Sequence, residues 1–542
     1  MRLRKRRGKA PEPSETENKD EGSPEERQDR IGDRLEETVG RLQDKFGGND
    51  DFVLCRFQVY GRIPAAMFYY SSMVDSTAVN EVILKPLMLG SPASEQEGGE
   101  SGSLPHRLID DILYHSGCTT EGRYSALVGA IVRGQTVIVV EGETEAIVVQ
   151  TRSIDKRSID TPATEQVIRG PREGFIEMLS TNMALLRYRL QTPEFHIQTM
   201  EIGRKTMSKV AVCYIEGVTN AELVKEVRDR VSRIDIDAVL DSGYLEQFIE
   251  DNHISPFPQV QYTERPDKVV ANLLEGRVAI LVDGSPLALV VPTVFSQFYQ
   301  TVEDYTERFL LMSAVRMARF VALIFSLVFP SLYVAIISFN PELIPTEFAV
   351  AVAGGRAGVP FPAVIEVLVI EIAMEVLREA TIRLPQQVGG ALSIVGVLVV
   401  GQAAVAAGFV SPITVVIIAL TTIGSFATPA FNVALALRLL RFPLIIMAGI
   451  FGLYGVMIGL ILIANHLLSL KSFGVPYLSP LVPSDSSGLK DLLVRGPLWW
   501  MQKRPAFLRP KETDRVRPGL GKRIMAGTDN VLDPARQEKK ER

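Results

Sequence analysis

The stretch Leu384–Leu437 decides the fold of this chain. It reads LPQQVGGALSIVGVLVVGQAAVAAGFVSPITVVIIALTTIGSFATPAFNVALAL and contains no Asp, Glu, Lys, Arg or His. A helix crosses the hydrocarbon core of a bilayer with about 20 apolar residues, so this stretch is long enough for two spans. Gly408-Phe409-Val410-Ser411-Pro412 near its middle supplies a break. We therefore predict two membrane spans, at Val388–Ala407 and at Pro412–Leu437.

Further apolar segments flank this stretch on both sides. A first span is predicted at Ala318–Phe339, with Pro330 as a kink. Phe361–Ile382 is apolar but carries several carboxylates, and Phe442–Leu470 is the last apolar block. Together they predict an α-helical, polytopic membrane domain over residues 309–470, with about five apolar segments.

The positions of the basic residues predict the orientation of these segments. Arginines before the first span, at 378–383 and at 438–441 indicate cytosolic turns, because Lys and Arg concentrate in cytosolic loops. A simple fifth crossing at Phe442–Leu470 then conflicts with a cytosolic basic tail at 471–542. Either this block re-enters the membrane or another block contains an extra turn, for which Gly424–Pro429 is the candidate.

The residues before the membrane block predict a cytosolic α/β region of two subdomains. We expect a charged, disordered segment at 1–50 with a candidate helix at Gly32–Phe46, and then subdomain 1 at 51–164. A connecting helix at 165–195 leads to subdomain 2 at 196–308. No signal peptide is recognised at the amino terminus, and the three cysteines fit a reducing compartment.

Short β-branched runs bounded by turn residues predict the strands of both subdomains. The clearest is the hairpin Arg277–Val291, because Asp-Gly at Asp283-Gly284 between two apolar runs is a strong turn signal.

Two carboxylates in Phe361–Ile382 are candidates for lining an ion path. Glu371 and Glu375 lie on one face of a helix with about 100° per residue. Ionised groups at membrane depth are costly and usually face a bundle interior or a wet cavity. The functional interpretation is a net-acidic lining of a cation path. The alternative is a structural ion-pair network, in which Glu379 pairs with Arg383 and Glu371 with Arg378.

The small residues of Val388–Ala407 favour close helix packing. The simple interpretation is tight packing. The sharper one is a narrow apolar gate around an oligomer axis, with Val397, Val400 and Gln402 as the gate candidates.

Part of the basic tail predicts contact with anionic lipid, because it combines basic and aromatic residues. The candidate contact residues are Lys490, Arg495, Trp499, Trp500, Lys503 and Arg504.

We find no enzyme signature, and we predict no catalytic residue, cofactor site or metal site. His106, His115 and Cys118 come nearest to a metal cluster, but their spacing matches no zinc site.

Several motifs are specific enough to carry a resemblance to the A subunits of GerA-type germinant receptors. They cover about residues 165–510 and are Glu264-Arg-Pro-Asp-Lys268, Leu274-Glu-Gly-Arg-Val-Ala-Ile-Leu-Val-Asp-Gly-Ser-Pro286, Glu303-Asp-Tyr-Thr-Glu-Arg308, Pro330-Ser-Leu-Tyr-Val334, Asn340-Pro-Glu-Leu-Ile-Pro-Thr-Glu347, Gly358-Val-Pro-Phe-Pro362, Leu377-Arg-Glu-Ala-Thr-Ile-Arg-Leu-Pro385, Val400-Gly-Gln-Ala-Ala-Val405 and Lys471-Ser-Phe-Gly-Val-Pro-Tyr-Leu-Ser-Pro480.

The resemblance implies a subunit of a nutrient receptor in the inner membrane of an endospore, with its amino-terminal region in the cytosol. The implied partners are a polytopic B subunit, a lipoprotein C subunit and further copies of the A subunit, with no nucleic acid. The implied function is a response to nutrients that triggers germination, by forming or gating an ion-conducting path. The alternatives are a secondary transporter, which usually has paired internal repeats, and a non-conducting scaffold.

Overall fold

The structure is a computed structural model that describes residues 29–90, 103–113, 115–153, 161–382, 401–484, 488–517 and 519–525. The chain divides into two compact units. The first contains the residues up to 154 together with Gln191–Pro193, and the second contains 155–190 and everything from Glu194 onward.

The first unit is built on a five-stranded antiparallel sheet with the strand order β1-β2-β4-β5-β3. Its strands are β1 (Phe52–Val59), β2 (Ile63–Tyr70), β3 (Cys118–Glu121), β4 (Thr136–Val140) and β5 (Ala146–Val149). Its helices are α1 (Leu35–Phe46), α2 (Ser76–Ala78), α3 (Lys85–Leu89), α4 (Leu104–Asp111) and α5 (Tyr124–Val132), with a π-helical segment Val79–Leu84 between α2 and α3.

Helix α1 corrects the predicted amino-terminal boundary. Its apolar residues Leu35, Val39, Leu42 and Phe46 are buried in the same cluster as Phe68. The candidate helix is therefore part of the core of the first unit, which begins before residue 51. Residues 1–28 of the predicted disordered segment lie outside the described residues.

The α/β part of the second unit has the strand order β6-β7-β9-β10-β8, which is the order of the first sheet. Its strands are β6 (Phe195–Ile202), β7 (Ser208–Ile215), β8 (Gln261–Thr263), β9 (Val278–Val282) and β10 (Ala288–Val291). Its helices are α6 (Leu179–Arg189), α7 (Ala221–Ser232), α8 (Ser242–Ile249) and α9 (Pro266–Glu275). Helix α6 packs into this core and so belongs to the second unit, rather than connecting two subdomains.

The two sheets share an internal sequence repeat that the motif search did not find. Arg123–Val149 aligns with Arg265–Val291 without a gap, and the aligned pairs include Gly134 with Gly276 and Gly142 with Gly284. All four of these glycines have positive φ. The repeat is easily missed because its matching positions are mainly Val, Ile, Ala and Gly, which are common in the strands and turns of any sheet.

Further helices, most of them apolar, follow the second sheet. They are α10 (Glu303–Thr306), α11 (Phe309–Phe339), α12 (Thr346–Arg356), α13 (Ala363–Ile382), α14 (Pro412–Phe426), α15 (Phe431–Phe451) and α16 (Leu453–Ser469). Among the described residues α11 and α15 are long and apolar enough to cross a membrane, while α14 and α16 are apolar but shorter. The helical region fits a membrane domain.

The predicted span Pro412–Leu437 is wrong as a single helix. Helix α14 ends at Phe426, and α15 begins at Phe431 after a break that contains Pro429. This is the extra turn named as a candidate at Gly424–Pro429. A proline disfavours helical backbone at the residue before it, which explains why the break falls here.

The predicted cytosolic turn at 438–441 is also wrong, because Arg438 and Arg441 lie inside α15 and are buried. The corner instead lies at Gly452, which has φ +61° and joins α15 to α16. A Cβ at Gly455 would lie 2.1 Å from the Met447 carbonyl oxygen, so the two helices approach closely there. Most of the predicted span Val388–Ala407 lies outside the described residues.

The tail packs back onto the α/β part of the second unit. It contains the strands β11 (Lys471–Ser472) and β12 (Val475–Pro476), three short 3-10 turns and helix α17 (Leu520–Met525). The Ser472 hydroxyl donates to the Gln259 carbonyl at 2.7 Å, and the Tyr477 hydroxyl donates to the Pro258 carbonyl at 2.7 Å. The region after α16 is therefore folded against the sheet at these points.

We predict that Gly284→Ala destabilises the protein by about 1–2 kcal/mol, because the turn holds this residue at φ +87°, where a Cβ is strained. A Cβ would have space, its nearest neighbour being the Leu240 carbonyl oxygen at 3.8 Å. Gly284→Val should cost more and lower the abundance of the protein. Thermal unfolding of the full chain in detergent measures the first effect and immunoblotting the second.

Gly40→Ala is the control, since this helical glycine has no neighbouring atom within 4 Å of an added Cβ. It should be neutral or stabilising. Equal melting temperatures for Gly284→Ala and the wild type would contradict a structural role of the turn.

Candidate functional site

A buried ionic cluster joins the α/β part to the first apolar helix. Asp304 on α10 and Arg316 on α11 are both fully buried, and Arg316 Nε donates to Asp304 Oδ2 at 2.9 Å. Arg319 Nη1 reaches the same oxygen at 3.3 Å. The Thr301 amide and hydroxyl also donate to this carboxylate, at 3.2 and 3.1 Å. Asp304 therefore has the partners that a buried charge needs.

The tail completes the cluster through Asp491. Arg316 Nη1 donates to Asp491 Oδ1 and to its carbonyl oxygen, both at 2.8 Å, and the Tyr305 hydroxyl donates to Asp491 Oδ2 at 2.6 Å. Burial raises the pKa of the Asp491 carboxyl, and the Arg316 guanidinium opposes this rise. One guanidinium thus holds carboxylates from two distant parts of the chain, which we call the Arg316 cluster.

Two of the predicted lipid-contact arginines lie inside the protein. Arg495 is 3% exposed and donates to the Glu307 and Tyr305 carbonyls, at 3.0 and 3.5 Å. Arg504 donates to the Leu274 carbonyl at 2.8 Å and to two carbonyls of the tail. Their guanidinium groups are occupied by the protein, which corrects the prediction for these two residues.

The other predicted lipid-contact residues are placed differently. Lys490, Trp500 and Lys503 are exposed, and Trp499 is half-buried against Phe309. The part of the tail that carries these residues, 490–504, is not a continuous helix. Its helical structure is limited to the short 3-10 turns Gly488–Asp491 and Leu498–Trp500. For the exposed residues, contact with lipid stays a prediction.

A second group of charges lies within the apolar helices. Arg441 on α15 donates through Nη1 to both oxygens of Glu371 on α13, at 2.8 and 2.9 Å. Both side chains are buried. Glu371 is thus part of a structural ion pair, which was the alternative interpretation. Its partner is Arg441 rather than Arg378.

Glu375 lies one turn further along α13 and is more exposed. Arg378 Nη1 donates to Glu375 Oε2 at 2.5 Å, and Arg438 Nε lies 3.4 Å from the same oxygen. The structure therefore brings both acidic path candidates together with arginines of α13 and α15.

Glu366 is the most buried carboxylate of α13, and the sequence analysis did not select it. Arg356 Nε donates to its Oε1 at 3.1 Å, while the Ser411 amide and the Thr414 hydroxyl donate to its Oε2, both at 3.0 Å. A carboxylate at the start of α14 is favoured by the free amides and the dipole of a helix amino terminus. Ser-Pro at a helix start was the one sequence signal for this arrangement.

The gate candidates are described only in part. Val397 and Val400 lie outside the described residues, and Gln402 is exposed on the helical segment 401–406. Among the described residues no group of three or more His, Cys, Asp or Glu side chains is arranged to hold a metal ion.

We predict that Glu371 and Arg441 are energetically coupled. Removing one member of a buried ion pair leaves an unpaired charge and costs about 3–5 kcal/mol, whereas replacing both with apolar residues is often close to neutral. Glu371→Leu and Arg441→Met should each lower the melting temperature of the full chain in detergent, and the double variant should regain most of the loss.

The exposed pair Lys85–Glu81, at 2.8 Å, is the control for this cycle. The coupling energy between Lys85 and Glu81 should not exceed about 0.5 kcal/mol. Additive effects of Glu371→Leu and Arg441→Met would show that the pair is not formed.

We also predict that Asp304→Asn strongly destabilises the chain, by about 3 kcal/mol or more, because the buried Arg316 and the half-buried Arg319 lose their shared carboxylate. Glu222→Gln, at an exposed position on α7, is the matched control and should be neutral within about 0.5 kcal/mol. Thermal unfolding in detergent measures both. Equal changes in melting temperature for the two substitutions would show that the Arg316 cluster does not stabilise the contact between α10 and α11.

Comparison with known proteins identifies the family of this chain. Residues 40–507 match the family of the Bacillus/Clostridium GerA spore germination protein. The match includes the first unit, so it extends further toward the amino terminus than the sequence motifs did.

Relatives of known name cover nearly the whole chain. Spore germination protein KA of Bacillus subtilis is 41% identical over 91% of this chain and 90% of its own length. Spore germination protein GerLA of Bacillus cereus is 36% identical over 89% of this chain and 97% of its own length. A crystal structure of the N-terminal domain of the A subunit of the Bacillus megaterium spore germinant receptor GerK3 is 31% identical, covers 49% of this chain and 97% of that chain, and has a TM-score of 0.39. On the extent of the family match and of the two full-length relatives, the chain belongs to the GerA family of spore germination proteins.

Proposed function

We propose that this chain is the A subunit of a nutrient germinant receptor and that it forms or gates an ion-conducting path in the inner membrane of the endospore. The observation that supports the path most directly is the set of carboxylates inside the apolar helices. Glu366 and Glu371 are buried on α13 at 1% and 6% exposure. Ionisable side chains at such positions are costly and commonly mark ion pathways.

The proposed subunit crosses the membrane several times, with its α/β part in the cytosol. It works with a polytopic B subunit, a lipoprotein C subunit and further copies of itself. Several copies are needed because the spans of one chain are too few to enclose a pore. A narrow apolar ring then gates by dewetting, and Val397, Val400 and Gln402 are the proposed gate residues.

The Arg316 cluster gives the proposed receptor a mechanical connection. The cytosolic α/β part, helix α11 and the tail meet at one guanidinium, so a displacement of any of them acts on the other two. Pairs with little exposure are screened weakly by salt. A nutrient signal received elsewhere in the complex reaches the membrane helices through this connection.

The second candidate function is a non-conducting scaffold. The pairing of Glu371 with Arg441 favours it, because a carboxylate held by a guanidinium is not free to attract a cation. Electrical recording from the purified subunit in bilayers separates the two functions. Cation currents support the path, and a bilayer that stays silent with folded protein, even for the predicted leaky variant Val400→Ala, supports the scaffold.

We predict that Val397→Ala or Val400→Ala makes the path leaky. A smaller side chain widens an apolar constriction and lets water enter it. Mutant spores should lose dormancy, with ion release before any nutrient is added, at normal receptor abundance on immunoblots. Val416→Ala is the control, since Val416 is 51% exposed on α14 and its replacement should leave dormancy unchanged. Normal dormancy in both gate variants would exclude this gate.

Glu371→Gln combined with Glu375→Gln should slow cation release after a nutrient is added, because the local cation concentration falls with the negative charge. Immunoblots are essential here, since the same change leaves Arg441 without a carboxylate. Normal release at normal abundance would exclude these two residues from the path.

A further inference from the structure

The loop between α8 and β8 exposes one large apolar side chain to solvent. We call Asn252–Phe257 the Ile254 loop. The Asn252 side-chain oxygen accepts hydrogen bonds from the amides of Ile254 and Ser255, at 3.1 and 3.2 Å. At the tip, Ile254 is 93% exposed.

A buried glutamine fixes the base of the loop. Gln259 is 1% exposed, its Oε1 accepts from the Asn252 amide at 2.9 Å, and its Nε2 donates to the Asn252 carbonyl at 2.7 Å. The loop therefore has no need to reorganise in order to present Ile254. A single exposed apolar residue is ordinary on a protein surface, so its location decides whether it matters.

The loop is attached to the end of an apolar helix. The Ser255 hydroxyl is hydrogen-bonded to His466 Nε2 of α16 at 2.9 Å, and the ring of Phe257 lies 6.1 Å from the His466 ring. Helix α16 ends at Ser469. Ile254, the neighbour of Ser255, is thus positioned beside the last turn of this helix.

Exposed apolar side chains lie along the second half of α16. Ile461, Leu462 and Leu468 are 60%, 58% and 50% exposed along the helix. Large exposed apolar patches mark contact with a membrane or a partner. The hydrogen bond between Ser255 and His466 brings the Ile254 loop to the carboxyl-terminal end of this helix.

We propose that the Ile254 loop is a membrane-surface contact, in which Ile254 inserts into the boundary between headgroups and acyl chains of the cytosolic leaflet. The proposal rests on the proposed function, because it requires α16 to lie in the membrane. It adds an insertion point on the α/β part, which no sequence motif indicated.

The charges around the loop determine how it binds. The loop itself contains no Lys or Arg, and of the two acidic residues before it Asp251 is ion-paired with Arg230, so attraction to anionic lipid is not what holds it. The contact is made by burial of apolar surface, which is insensitive to salt. This differs from the electrostatic contact predicted for the basic tail.

The test uses the full chain in nanodiscs of phosphatidylcholine. Ile254→Cys is introduced after Cys55→Ser, Cys118→Ser and Cys213→Ala, and is labelled with an environment-sensitive fluorophore. Lipids carrying a nitroxide near the headgroup then probe the label by quenching. We expect blue-shifted emission and strong quenching, both unchanged at high salt.

Two matched positions make the result specific. Met207→Cys is the aqueous control, because Met207 is 60% exposed in the β6–β7 turn, at the opposite end of the sheet from the Ile254 loop. It should show neither the shift nor the quenching. Leu462→Cys on α16 is the membrane control and should be quenched by nitroxides placed deeper in the acyl chains.

Each outcome has a definite meaning. A label at residue 254 that behaves like the one at residue 207 overturns the proposal. A blue-shifted label that lipid nitroxides do not quench also overturns it, since a protein surface then covers the loop. If residue 462 is not quenched either, the membrane placement of α16 fails, and with it the proposed function. If only residue 462 is quenched, the Ile254 contact alone fails.

Discussion

The ion pair between Arg316 and Asp304 is the constraint on which the second unit depends. Neither side chain is exposed to solvent, so each would be very costly without the other. Asp304 belongs to the short helix after the sheet, and Arg316 lies two turns into the long apolar helix α11. Their pairing fixes the direction in which α11 leaves the α/β part. Asp491 adds the tail to the same guanidinium, so three parts of the chain share one buried charge.

This constraint changes the role of the basic tail. By composition the tail resembles a segment that lies on anionic lipid, since it combines basic and aromatic residues. Arg495 and Arg504 instead donate to backbone carbonyls, and Ser472 and Tyr477 bind the edge of the second sheet. Backbone carbonyls carry no signature in the sequence, which is why composition could not reveal these contacts. At these positions the tail is packed and hydrogen-bonded as part of the α/β region.

The features that sequence predicted well are those set by local chemistry. The Asp283-Gly284 turn, the α/β region and the apolar helices follow from short-range patterns, and each is present. The features it missed depend on residues far apart in the chain. Glu371 and its partner Arg441 are 70 residues apart in the sequence. Nothing between them predicts which arginine Glu371 meets. Arg438 and Arg441 predict a cytosolic turn because Lys and Arg concentrate in cytosolic loops, but paired arginines can lie inside a helix.

The pairing in the helical region limits how a path for cations can work. Glu366, Glu371 and Glu375 each have an arginine within hydrogen-bonding distance or close to it, at Arg356, Arg441 and Arg378. A cation that uses these carboxylates has to replace a guanidinium, and the displaced arginine then needs water or another anion. Conduction through such groups therefore requires a change of partners between α13 and α15, rather than a rigid lined tube. In the proposed receptor, where α11 is held by the Arg316 cluster, a movement of the α/β part would supply that change of partners.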